Sequence, residues 1–161
     1  MKNVRLMTLL VMAFFTLTAN GQEEEMIRRV EVLLREGGDA SPFMKTNYDS
    51  LLIIFKTTAD DYQLFITKPA MSEEQRKLII QANLCYEQKS FKAIALYNQA
   101  IDLNPTSYPV AYFNLAFIYA QLNIYNAAIF NMKKYLMLVP NAEDARAAQD
   151  KIYEWEARVV K

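Results

Sequence analysis

Two stretches of this chain are copies of one another. Residues 98–105 (NQAIDLNP) align with residues 133–140 (KKYLMLVP), and the closing prolines Pro105 and Pro140 stand 35 residues apart. Each stretch ends a helical pattern and follows another, so the repeated unit is a pair of helices. Such a unit cannot bury its apolar face alone and must stack on its neighbour. The fold this requires is all-α, built of tandem antiparallel helix hairpins. The punctuation agrees. Ser72 and Gln75 form a capping box that opens a helix running to about Gln88. A second helix spans about Phe91 to Leu103 and stops at Asn104-Pro105. A third starts near Pro109, a residue suited to a first helical turn, and runs to about Leu122. A fourth spans about Tyr125 to Val139, and Asn141 caps a fifth, with Asp144 three residues on, that runs towards Val159.

The hairpins resemble the tetratricopeptide repeat, whose period is about 34 residues. In the second hairpin Tyr112, Leu115, Ala116 and Tyr119 match the large-large-small-large positions of the first helix. Tyr125, Ala128, Met132 and Pro140 match those of the second. In the first hairpin Leu78, Ala82, Phe91, Ala93, Tyr97, Ala100 and Pro105 match. The departures are Cys85 where an aromatic is usual, one residue missing between Phe91 and Ala93, and Tyr135 in place of a small residue. The physical reason for the pattern is plain. Ala82, Ala93, Ala116 and Ala128 let paired helix axes approach, while the aromatic rings fill the gaps between hairpins. The resemblance covers residues 74–153 and implies a short α-solenoid, with residues 72–105 and 106–140 as its two repeats. Residues 141–161 form a capping helix in which Ala145, Ala148, Ile152 and Tyr153 face the array while Asp144, Arg146, Lys151 and Glu154 meet water.

The first 71 residues follow another logic. Residues 1–21 have the form of a secretory signal, with Lys2 and Arg5, an apolar run over residues 6–17, and Ala19 and Gly21 set for cleavage before Gln22. The run is too short for the ~20 apolar residues of a membrane span, so no stable span is expected after cleavage. Residues 22–71 are an N-terminal helical segment. Met26, Ile27, Val30, Leu33 and Leu34 share a helical face that Gly37-Gly38 ends. Residues 39–47 are loop-like around Pro42. Residues 51–55 suit a buried strand or a short buried helix, and helix is favoured because no other stretch reads as a strand to pair with; residues 59–67 suit another short helix. These elements are expected to cover the end of the array opposite the cap.

Counting residues removes most chemistries. The chain has no histidine, one cysteine (Cys85) and three glycines. Histidine-based triads, imidazole metal sites, internal disulfides and glycine-rich phosphate loops are therefore out of reach. Asp60-Asp61, Glu73-Glu74 and Glu143-Asp144 fall where helices are expected to start, and carboxylates there favour the dipole. No cofactor, metal or catalytic residue is expected. Signal cleavage removes two of the 18 basic residues and leaves a net charge of −2 against 18 acids. That charge suits neither nucleic acid nor anionic lipid. The basic pairs Arg28-Arg29 and Lys133-Lys134 are expected on solvated helix faces.

The resemblance also implies a concave groove lined by the first helix of each hairpin and used for peptides. Carried over residue by residue, Arg76, Ile79, Ile80, Asn83 and Tyr86 line it from the first hairpin. Val110, Phe113, Asn114, Phe117 and Gln121 follow from the second, and Asp144, Ala147, Lys151 and Trp155 from the cap. Relatives that clamp a C-terminal carboxylate place two asparagines, a lysine and an arginine there. Asn83 and Asn114 match, but Ile79, Asp144 and Ala148 stand where the cations belong, so that clamp is broken. The remaining face is apolar with a few amides. The implied function is a non-enzymatic protein–protein interaction module that takes a peptide or partner helix, exported to a bacterial periplasm. The alternative is a structural subunit of a permanent envelope complex whose groove is filled by its own N-terminal helix.

Overall fold

The computed structural model describes residues 42–88 and 92–159, with side chains from residue 48 onward. The signal segment, the helical face over residues 26–34, Gly37-Gly38 and Phe91 lie outside the described residues. Six helices and no strand are present among them: α1 (Pro42–Leu64), α2 (Glu73–Glu87), α3 (Lys92–Leu103), α4 (Val110–Gln121), α5 (Tyr125–Leu138) and α6 (Ala145–Val159). Helices α2 and α3 pair as one hairpin and α4 and α5 as the next, with α6 packed on α5.

Both hairpins start and stop for identifiable reasons. Ser72 accepts the Gln75 backbone N–H at 3.1 Å and so caps α2. The Gln75 side chain does not complete the capping box. It is buried, donates to the carbonyls of Ala100 and Asn104 at 2.8 and 2.9 Å, and accepts from the Ser107 hydroxyl at 2.6 Å. One amide thus ties the carbonyls at the end of α3 to α2. Helix α4 ends in a Schellman turn. The Ile124 N–H reaches the Tyr119 carbonyl at 2.9 Å and the Asn123 N–H reaches that of Ala120 at 3.0 Å. Asn123 takes the left-handed conformation this needs, with φ of 61°, which asparagine tolerates better than most residues. Helix α6 starts at Ala145, three residues later than an Asn141 cap would place it, and the Asp144 carbonyl accepts the Ala148 N–H at 2.9 Å.

Helix α4 is apolar almost all round because it belongs to two cores. Ala111, Leu115 and Ile118 pack with Ile79 and Ala82 of α2 and with Ala93, Tyr97 and Ala100 of α3. Tyr112 and Ala116 pack with Ala128, Met132, Tyr135 and Leu138 of α5 and with Ala148, Ile152 and Trp155 of α6. The four small residues expected at close helix approaches, Ala82, Ala93, Ala116 and Ala128, are all fully buried. In the cap, Ala148 and Ile152 face inward as expected. Trp155 joins them instead of Tyr153, which is 59% exposed.

The N-terminal segment differs most from expectation. In place of a loop and two short helices it forms one helix, α1, with Pro42 as its first residue rather than a loop breaker. The stripe that matters is Leu52, Phe55, Ala59 and Tyr62, which is buried, while Leu51, Ile53 and Ile54 in the same apolar run are exposed. Asp60 and Asp61 consequently lie near the end of α1, not at a helix start, and Lys56 pairs with Asp60 at 2.6 Å. Nor does α1 cover the end of the array. It lies along α5, where the Gln63 side chain donates to the Leu138 carbonyl at the α5 terminus.

The α1–α5 seam encloses a lysine. Lys134, expected on a solvated face, has its ammonium over the rings of Phe130, Phe55 and Tyr112 at 4.4, 4.7 and 5.2 Å. Lys133 alone behaves as a surface residue, 3.7 Å from Glu156. Burial pushes Lys134 down to about 8, with Asp102 acting in the opposite sense. The folded chain releases this proton near pH 8, whereas the unfolded chain holds it to about pH 10.4. Between those values the unfolded chain binds more protons, so stability rises with pH. Above about pH 10 the sign reverses. Burial raises Tyr97 to about 12 and also raises Tyr112 and Tyr135, so the folded state then holds the extra protons. Urea midpoints measured from pH 7 to 10 should climb through this window in the parent chain and stay flat in Lys134→Met.

Candidate functional site

With α1 on α5, the face formed by the first helices α2, α4 and α6 is not occupied by α1. Its centre is a three-residue relay. Tyr97, reaching forward from α3, donates its hydroxyl to Asn83 Oδ1 at 2.7 Å and accepts from Asn114 Nδ2 at 2.8 Å. Burial keeps the Tyr97 hydroxyl protonated up to about 12, so the donor is present at any physiological pH. Each asparagine can make up to four hydrogen bonds and uses one here. Tyr97 fixes both amides: Asn83 turns its carbonyl inward and Asn114 its amino group. The Asn83 amino group and the Asn114 carbonyl are left as one donor and one acceptor, the complement of a peptide unit. The sequence reading takes both asparagines as donors and misses the tyrosine that orients them.

The second feature is an aromatic seam between α4 and α6. Phe113 meets Phe117 in a tilted pair at 4.9 Å and Tyr135 edge-on at 5.1 Å, while Phe117 meets the Trp155 ring edge-on at 5.7 Å. Tyr135, the residue standing where a small one is usual, donates to Asp144 Oδ1 at 2.6 Å and so pins the start of α6. Phe113 and Phe117 are half-buried, with part of each ring accessible. Trp155, at 4% exposure, is the floor beneath Phe117 rather than an open anchor.

The remaining expected groove residues divide. Val110 and Gln121 are exposed at the two ends of α4, and Tyr86 is half-buried on α2. Lys151 pairs with Glu154 at 2.8 Å along α6. Ile79 is a correction: at 3% exposure it belongs to the core between α2 and α3, in the buried cluster with Ala82, Ala93, Tyr97 and Ala100. Ile80 is exposed, on the side of α2 away from the core and beside Leu84. None of the three positions that lack a clamp cation supplies a substitute. Ile79 and Ala148 are buried, and Asp144 is held by Tyr135. Among the described residues no cluster of three cysteine, aspartate or glutamate side chains could hold a metal ion, and no helix is long and apolar enough to cross a membrane.

Comparison with known proteins fits this geometry. No curated protein and no solved structure matches the chain. A tetratricopeptide repeat family model matches residues 96–130, from the middle of α3 through α4 to the first half of α5. That span contains Tyr97 and Asn114 of the relay together with Phe113 and Phe117. Residues 96–130 of the chain are thus a tetratricopeptide repeat.

Proposed function

We propose that the face of α2, α4 and α6 binds a protein partner as a peptide or a short helix, without chemistry of its own. Tetratricopeptide repeats mediate protein–protein interactions and are typically non-enzymatic. The observation that carries the finer reading is the Asn83–Tyr97–Asn114 relay beside the half-exposed Phe113–Phe117 pair. The rings offer area for an apolar side chain, and the oriented amides offer a donor and an acceptor to the partner's backbone. The exported form, with residues 1–21 removed, would meet this partner in a bacterial periplasm; the short apolar run and the small residues before Gln22 support that placement.

Substitution on the face tests the reading. Phe117→Ala should weaken partner binding by about 2 kcal/mol, close to 30-fold, as loss of a central aromatic does. Asn114→Ala should weaken it by about 1 kcal/mol, the net worth of one hydrogen bond. Calorimetry of the parent and both variants against a captured partner reads these values. Equal affinity in all three would move the interface elsewhere. If the parent captures nothing and Phe117→Ala melts early, the face is filled in cis and the structural-subunit alternative holds.

A further inference from the structure

A repeat array needs a polar outer face where it ends. The α6 end meets this with charged residues, whereas the α2 end mixes its charges with two exposed apolar side chains, Ile80 at 54% and Leu84 at 55%. These two lie in a stripe with Glu73, Lys77 and Glu87, all exposed, on the side of α2 away from Gln75, Ile79 and Ala82. Along the stripe the spacing runs four, three, four, three, which is the heptad spacing of a helix that pairs with another helix. A shallow hollow beside Ile80, walled by Glu73, Glu74, Lys77 and Gln81, gives the stripe a receptacle for an apolar side chain.

The charges identify the occupant. We propose that this stripe is a self-association surface on which α2 pairs antiparallel with α2 of a second copy of the chain. With position 82 on the two-fold axis, Ile80 faces the second copy's Leu84 and Lys77 faces the second copy's Glu87, each twice by symmetry. One cation and one anion stand at equal distances on either side of the apolar centre, and an isologous contact needs that balance. An unrelated partner would impose no such condition. Leu84 of each copy enters the hollow beside Ile80 of the other. A single helix pair buries less than the ~1,200–2,000 Å² of a standard interface, so the dimer is weak and reversible. This proposal does not depend on the reading of the α2–α4–α6 face.

Sedimentation equilibrium on the chain as the cell processes it tests the proposal. The parent should show a monomer–dimer equilibrium at micromolar to sub-millimolar concentration. Leu84→Lys should weaken it at least tenfold with an unchanged helical spectrum. Lys77→Glu and Glu87→Lys should each weaken self-association, because like charges then meet across the axis. An equimolar mixture of those two variants should recover the dimer, since each then meets an opposite charge. A parent that stays monomeric up to about 1 mM overturns the proposal, as does a dimer indifferent to Leu84→Lys or a mixture that recovers nothing. A Leu84→Lys variant that melts early at unchanged mass also overturns it, since a segment of the same chain would then cover the stripe.

Discussion

Trp155→Ala should destabilise the chain by about 3–5 kcal/mol, the usual cost of deleting a buried large aromatic side chain. The indole is nearly fully buried and supports Phe117 edge-on across the α4–α6 seam. Domains of this size hold about 5–15 kcal/mol in total, so the loss is a large share of it. Urea unfolding followed by circular dichroism measures it; Trp155 is the only tryptophan, and fluorescence would vanish with it. Tyr153→Ala, two residues away but 59% exposed, should stay within about 0.5 kcal/mol. Reversal of that order would mean that α6 packs in the register the repeat pattern alone suggests.

Phe55→Ala should release α1 while leaving the two hairpins folded. Helix α1 meets the array chiefly along α5, and Phe55 is central to that contact, edge-on to Tyr112 at 5.5 Å and under the Lys134 ammonium at 4.7 Å. Removing the ring forfeits about 3–5 kcal/mol of packing and opens one side of the lysine cage. Most helical stability in proteins comes from packing of an apolar face and not from propensity, so α1 should fray once detached. Hydrogen exchange should show amides over residues 48–64 losing nearly all protection, with α4 and α5 close to the parent. Equal loss of protection in α4 and α5 would show that α1 is an integral part of the repeat core.

The array was legible in the sequence because helix punctuation and small residues are local signals. Ser72, Pro109 and Pro140 mark ends, and the four buried alanines mark where axes approach. Helix α1 was not legible for the opposite reason. Its run of five apolar residues hides a stripe of two, Leu52 and Phe55, that continues only at Ala59 and Tyr62, beyond Lys56 and two threonines. Pro42 signals a break or a first turn equally well, and only packing on α5 decides between them. The site was half legible. Repeat positions gave Asn83, Asn114, Phe113 and Phe117. The hydroxyl that joins the two amides comes from Tyr97 on a different helix, and no spacing rule connects the three. Lys134 was hidden too, because a lysine beside another lysine on a helix gives no sign that three rings surround it. Ile79 and Ile80 show the limit of carrying a groove over by position. One residue of register separates a core side chain from an exposed one.

The central claim is that the α2–α4–α6 face, and not the α1 side, receives a protein partner. Site-specific photo-cross-linking in intact cells tests it most directly, with the reactive side chain placed at Val110 or Gln121 on that face and at Ile53 on α1. All three positions are exposed, so none disturbs the core. A discrete adduct from Val110 and Gln121, absent from Ile53 and lost when Phe117→Ala is added, is the predicted result. An adduct from Ile53 with none from Val110 or Gln121 would contradict the account.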